Sequence, residues 1–566
     1  MNRLHAIALA AALCAAGHGQ AADMAHAVPS QSTLSGAAPS NPGIKQALDG
    51  ERFGLFPGEH FRASTGKCGD CPTVRQGLWY FEDDLLAVPA ARQPVSGFSP
   101  TLQPMRDVRQ WAALPAAPAP DYPPLIWLGS PQRIDDAALQ AKGMQLSTGG
   151  STFDLRLVPK LSTNQSYANE RTTAFFEQRP LRLRGKLEQQ DGKQAFVART
   201  IWPKDFIIDA AKLKAAPLAQ PGGLAAFVRE AGGGAAAPYT TRLLWERTPG
   251  KTRDWQDKAV IGIMLNGAQG DDDEAFGGHF AIATGRYGAK GEFADWTVNN
   301  FYNLDSVSEK GIISATVPMD NYLMDLNSGQ QYYRPSYMLV AVMNKARTAA
   351  AYQGAVQRIF NHFYRHDFTY QHAAANCAGI SLDIFKALGW QIPERGPTSR
   401  LKAVAAYAYL SVKDGSLASG RKIYDYLTEE QIRLYPAVAF EAAGDDLLRL
   451  ASGASGRVLT PFEKELGEDV EAIVVMRIPQ VPSSRAMGSN PVFSFDEYLE
   501  RTPADHSKWK IVPAGPRPFP AALRDGAALV QPAPPGVPLP IIGILVAIVA
   551  AIGTLAWRRR SGKKSA

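Results

Sequence analysis

The feature that most restricts this chain is its carboxy-terminal end, "VPLPIIGILVAIVAAIGTLAWRRRSGKKSA". Residues 541–557 carry no charged side chain, and residues 537–540 bring the stretch to the about 20 residues that a spanning helix requires. Arg558, Arg559, Arg560, Lys563 and Lys564 follow at once, a charge pattern that keeps residues 558–566 on the cytoplasmic side and the body across the membrane. The opposite end, "MNRLHAIALAAALCAAGHGQAAD", sets Arg3 before an apolar run and then small residues, the layout of a secretory signal over residues 1–22, cleaved after Ala21 or Ala22. Cys14 lies inside that run and is expected to leave with it. The chain is thus expected to be a single-pass protein of a bacterial inner membrane with its body in the periplasm.

The alternative for the tail is a processed sorting segment, since a short apolar stretch after "VPLP" ending in arginines resembles bacterial carboxy-terminal sorting signals. The net charge of +7 does not point to nucleic acid. Five of those positive charges sit in the tail and one is Arg3, leaving about +1 for the exported body and no basic patch to explain. Of four cysteines, Cys68 and Cys71 form a close pair, "KCGDC", most simply a small disulfide loop in an oxidising compartment; a redox-active or metal-binding pair is the alternative. Cys377 is left over.

At 566 residues, 45% of them hydrophobic, the chain can build two or three cores. Residues 23–52 read as a flexible lead, 53–92 as a compact segment with the cysteine pair, and 93–124 as a Pro/Ala-rich linker. Residues 125–210 contain "STFDLRLVP", "RPLRLRGKLEQ" and "QAFVARTIWP", whose alternation of apolar and polar residues predicts a small β-rich domain. Residues 211–240 read as a hinge with a short helix inside it. Residues 241–395 combine a buried-strand run, "KAVIGIMLNGA", with a hairpin of "GGHFAIATG" and "EFADWTVNNFYNL" and helical stretches after it, an α+β pattern. Residues 396–512 read as mixed and mostly helical, and 513–536 as a Pro-rich spacer.

The odd cysteine falls in "HAAANCAGISLDIFKALGW". Asn376 is a favoured helix N-cap, Cys377, Ile380, Ser381, Ile384 and Leu388 recur on one helical face, and Gly389 supplies a left-handed stop. Cys377 then occupies the first helical turn, beside unsatisfied N–H groups and the positive end of the dipole, where a thiol pKa falls. A buried inert core cysteine is the competing reading. A nucleophile needs a base, and His279, sharing a strand face with Ala281 and Ala283, is the candidate. The third role, orienting the imidazole, suits a polar residue on the neighbouring strand: Asp295, preferred narrowly, or Asn299.

A strand-borne "GGHFAIATG" ahead of a helix-borne "NCAGISLDIFKALGW" resembles the circularly permuted papain-like thiol enzymes, including permuted NlpC/P60 proteins and relatives of lecithin–retinol acyltransferase. With "YRPSYMLVAVM" and "FYRHDFTYQHAAANCAGI" added, the resemblance is closest to the DUF4105 group, periplasmic membrane-linked proteins that include lipoprotein N-acyltransferases. It covers residues 242–390, and its motifs are short. It implies the nucleophile role for Cys377 and the base role for His279, and it implies a fold in which an antiparallel sheet packs on the nucleophile helix. The chemistry expected is acyl transfer or hydrolysis through a thioester, the Cys377 N–H forming part of an oxyanion hole. The anchor and spacer favour lipid, lipoprotein or peptidoglycan substrates, and no cofactor is expected.

Two rivals stand beside this. "HFYRHDFTYQH" sets His362 and His366 one helical turn apart with Asp367 and His372 nearby, a spacing for zinc, but the glutamate of an HExxH motif is missing and no metal site is expected. "GDDDEAFGG" has no calcium-loop spacing and reads as a solvated acidic loop. The second rival is a non-catalytic envelope scaffold in which a papain-like core only binds a partner.

Overall fold

A computed structural model of the chain describes residues 53–57, 85–89, 99, 101–114, 126–127, 130, 132–158, 169–190, 192–218, 222–230, 238–267, 277–302, 315–364, 370–371, 373–482, 491–494, 496–497 and 500. The leader with Cys14, the Cys68/Cys71 pair, the acidic stretch 270–276, His366, Asp367, His372, the Pro-rich spacer, the apolar span 537–557 and the basic tail lie outside the described residues. Among the described residues no helix is long and apolar enough to cross a membrane.

The fold is mixed α+β. Its strands are β1 (Phe53–Pro57), β2 (Leu85–Pro89), β3 (Ile126–Trp127), β4 (Gln132–Gln140), β5 (Gln145–Thr148), β6 (Ser151–Leu157), β7 (Leu181–Gln190), β8 (Lys193–Pro203), β9 (Thr240–Glu246), β10 (Ala259–Asn266), β11 (His279–Arg286), β12 (Thr297–Asn300), β13 (Ala315–Pro318), β14 (Ser336–Met343) and β15 (Val470–Ile478). Its helices are α1 (Pro104–Ala112), α2 (Glu170–Glu177), α3 (Gly223–Glu230), α4 (Met319–Met324), α5 (Arg347–Tyr364), α6 (Cys377–Leu388), α7 (Arg400–Lys413), α8 (Leu417–Thr428), α9 (Gln431–Leu434), α10 (Pro436–Ser452) and α11 (Pro461–Asp469).

Ten strands form one sheet in the order β1-β2-β3-β13-β12-β11-β10-β14-β15-β9. From β13 to β9 every neighbouring pair is antiparallel. The sequences of β10, "AVIGIMLN", and β14, "SYMLVAVM", are near-continuous apolar runs, and every residue in both strands is buried. Such runs belong to a sheet covered on both faces. The register sets Ile263 opposite both Leu339 and Ile282, and Ile282 opposite Asn299, so these share one face. Helix α10 lies close on that face: a Cβ on Gly444 would meet Leu339 and Leu224 of α3. Helix α5 joins it through Gln353, which meets Thr284, and Tyr352 of α5 packs on Phe385 of α6 at 4.2 Å. The opposite face carries Met264, Met338, Ala281, Ala283 and His279. Helix α4 lies against it, reaching Asn266 through Tyr322.

Two segments depart from the sequence reading. β15 lies within residues 396–512 yet fills a place between β14 and β9, so the sheet is completed from beyond the Cys377 helix. The linker at 93–124 contains α1, whose Asp107 and Val108 are buried as it packs against α5 and α6. Asp107 takes Arg358 at 2.6 Å and His362 Nε2 at 3.0 Å from α5, and also accepts the Ser99 N–H.

Residues 132–203 close into a separate barrel, β4-β5-β6-β8-β7. β6 and β8 run parallel, every other pair is antiparallel, and α2 sits between the third and fourth strands, the arrangement of an OB-type Greek-key barrel. Phe176 of α2 packs into the barrel core with Leu146, Leu181, Leu183 and Phe196.

Residues Gly396–Glu430 form a compact unit of their own. It is a hairpin of α7 and α8, capped by Ser399 and Ser416 and joined through Gly415 at φ 60°. Ala406, Leu410 and Ile423 form its core, and Gly420 lets the helices meet where a Cβ would strike Ser411.

Candidate functional site

Helix α6 begins where the sequence says it should. The Asn376 side chain accepts the Gly379 N–H at 2.9 Å, and Gly389 ends the helix at φ 116°. The loop before it is closed by paired backbone hydrogen bonds between Gln371 and Ala375, both at 3.0 Å. Arg433 of α9 braces this loop, donating to the Ala374 carbonyl at 2.7 Å and to both Asp383 carboxylate oxygens. Gly379 admits that close approach, since a Cβ there would lie 2.6 Å from the Ala374 oxygen. Cys377 is thus held in a fixed first turn, 5% exposed, and is a free thiol.

The sulfur lies against the backbone N–H of Phe280, one residue along β11 from His279. His279 stands opposite Asn266 of β10 and is 2% exposed. Its Nε2–H donates to Asn300 Oδ1 at 2.5 Å, and Asn300 is the last residue of β12. The imidazole lies against two tyrosine rings, Tyr302 at 6.3 Å and Tyr322 at 6.2 Å. Tyr322 donates to Asn266 Oδ1 at 2.5 Å, and Asn266 donates to Ser336 Oγ at 2.6 Å. Because Asn300 accepts from Nε2, the neutral ring keeps Nδ1 as its acceptor nitrogen.

The partner of His279 is therefore Asn300, neither Asp295 nor Asn299. Asp295 instead accepts Arg182 in two hydrogen bonds, at 2.8 and 3.0 Å, and Arg133 at 3.1 Å. Asn299 faces the other side of the sheet, where it accepts from Thr316 at 2.9 Å and donates to the Ile282 carbonyl. The residues that sequence reasoning passed over are Asn300, Tyr302, Tyr322, Tyr370 and Arg334.

Tyr370 covers the helix start. Its hydroxyl accepts the Cys377 N–H at 3.2 Å and donates to the sulfur. The N–H expected to hold an oxyanion is thus already engaged by the tyrosine oxygen. Arg334, with no exposed surface, donates from Nε to Gln330 at 2.9 Å and from Nη1 to the Gly267 carbonyl at 3.4 Å, putting its charge at the same end of the sheet.

Burial decides the protonation states. It pushes the Cys377 thiol up, against the opposing pull of the Phe280 N–H, the Tyr370 hydroxyl, the Ala378 N–H and Arg334. The lowered thiol pKa expected for a first helical turn is not found, because burial outweighs the N–H groups and the Arg334 charge that pull it down. His279 is pushed down to about 3 by burial and by the Arg334 charge, with Asn300 opposing. The resting pair is a thiol and a neutral imidazole.

His362, a candidate zinc ligand, is turned into the core toward Asp107. No group of three or more potential metal ligands occurs among the described residues. No protein-family model, no curated protein and no solved structure matches the chain.

Proposed function

We propose that the protein is an exported, membrane-anchored cysteine enzyme with a permuted papain-like core. It carries an acyl group on Cys377 as a thioester, taken from lipid, lipoprotein or cell-wall substrates at the membrane surface. The observation that carries this reading is the hydrogen bond from His279 Nε2–H to Asn300 Oδ1, with the next residue of the strand, Phe280, turning its backbone N–H to the Cys377 sulfur. With Cys377 as nucleophile, His279 as base and Asn300 as orienting amide, the proposed roles are those of cysteine–histidine–asparagine enzymes. The chain order, His279 strand before Cys377 helix, supports the permuted arrangement.

The chemistry follows from the neutral resting pair. As the sulfur bonds to the carbonyl carbon, the thiol proton passes to His279 Nδ1 and the carbonyl π pair moves to oxygen. Asn300 keeps the ring oriented and stabilises the imidazolium that forms. Collapse breaks the bond to the leaving group, which takes the proton from His279. Water or an amine then attacks the thioester, giving hydrolase or transferase.

The second reading, a non-catalytic scaffold, is favoured by the near-complete burial of Cys377 and its raised pKa. Incubation with a long-chain acyl thioester followed by peptide mapping separates the two. An acyl adduct on Cys377 that is labile to hydroxylamine is expected; a thiol that iodoacetamide alkylates but the thioester leaves bare makes the scaffold the correct reading.

A further inference from the structure

We infer that the barrel is a positioning module for the thiol site, its arginines fixing the two segments from which the partners of His279 extend. The inference rests on the proposed site and assigns a role to residues 132–203.

The two segments are 294–296, leading into β12, and 319–320, opening α4. They are joined by backbone hydrogen bonds, Met319 N–H to the Trp296 carbonyl at 2.8 Å and Asp320 N–H to the Ala294 carbonyl at 3.0 Å. Each offers one aspartate to the barrel. Asp295 takes the Arg182 fork and Arg133. Asp320 takes Arg184 Nε at 2.9 Å, with both side chains at most 1% exposed. A third anchor follows α4: Arg199 Nε meets Asp325 at 2.7 Å, and the Leu326 N–H donates to the Arg199 carbonyl at 2.8 Å, so β8 extends into that segment. Five residues on from Asp295 is Asn300, the partner of His279; two on from Asp320 is Tyr322, which packs on the imidazole and holds Asn266.

A buried ion pair is a poor device for stability alone, because isosteric apolar replacement is often neutral or stabilising. Bidentate and buried guanidinium–carboxylate geometry does fix orientation. Arg184 and Asp320 act through Tyr322, and Arg182 acts through the strand ending in Asn300, so these are positioning residues.

The test replaces the buried pair in the full chain, Arg184→Met with Asp320→Leu. Two readouts are taken: the thermal midpoint, and the pH dependence of Cys377 alkylation by iodoacetamide, scored on the Cys377 peptide. The midpoint is expected to hold while alkylation at neutral pH falls about tenfold, the scale of a sub-ångström misplacement. A folded double variant with the wild-type profile overturns the inference. Should that variant not fold, Asp295→Asn, at a half-exposed side chain, is read the same way: a slowed, shifted profile supports the inference and an unchanged one overturns it. His279→Gln in the otherwise unaltered chain separates the two readings. If it leaves the profile untouched, the site itself is misassigned and the barrel's role falls with it. If it changes the profile and the barrel variants do not, only the barrel inference fails.

Discussion

Asn300 Oδ1 accepts the Nε2–H of His279 at 2.5 Å, and this one contact fixes which ring nitrogen carries the proton. Asn300→Ala is expected to lower thioester acylation of Cys377 by about 10²-fold, since loss of the orienting partner frees the wrong tautomer. Asn299→Ala, on the opposite face, is expected to cost stability through Thr316 and Gln353 while leaving the rate within about threefold. Comparable rate losses for both variants would contradict the assignment.

Tyr370 donates to the sulfur and accepts the Cys377 N–H. Tyr370→Phe removes the donor that favours thiolate, so the Cys377 pKa rises further. Alkylation below the thiol pKa is expected to slow about three- to tenfold, with the limiting rate at high pH preserved. Rate against pH, fitted for midpoint and plateau, is the measurement; a downward shift of the midpoint would contradict it.

Acid stability follows from His279. Its folded pKa, about 3, lies below its usual 6.5, so between those values the unfolded chain binds the proton that the folded chain refuses. This contribution is complete above pH 6.5 and is lost as pH falls toward 3. Urea unfolding at pH 7 and pH 4.5 is expected to show a smaller acid loss in His279→Gln than in the wild type. An identical loss would mean that His279 titrates normally.

Asp107 ties α1 to α5 through Arg358 and His362 with a side chain 2% exposed. Asp107→Ala strands a buried guanidinium and is expected to cost about 3–5 kcal/mol in urea unfolding. A loss below about 1 kcal/mol would show that α1 is not part of the folded body.

Much of the site is written locally. The Asn376 cap, the spacing of Cys377, Ile380, Ser381 and Ile384, and the Gly389 stop all act within a few residues, so the start of α6 is legible from the sequence. The hairpin of β11 and β12 is legible for the same reason. Asn300 was hidden because its side depends on register: Ile282 pairs with Asn299, so odd residues of β11 share a face with even residues of β12. Nothing in either strand's own alternation sets that offset. β15 was hidden differently. "VEAIVVMRI" is a visible apolar run bounded by Asp469 and Pro479, but its partner β14 lies far back in the chain and helices precede it. The raised thiol pKa was out of reach because burial, the dominant cause, is a property of the whole packed body. Asp295 is a polar residue of the neighbouring strand segment, but its carboxylate is taken by the barrel arginines Arg182 and Arg133, a pairing that only the fold reveals.

The central claim is that His279 removes the proton from Cys377 during acyl transfer. It is tested most directly by the rate of Cys377 acylation by an acyl thioester at pH 7, compared between the wild type and His279→Gln at matched folding. The account predicts a loss of about 10²-fold or more, largely overcome by raising the pH toward that of the free thiolate. An equal rate in the two proteins would contradict it.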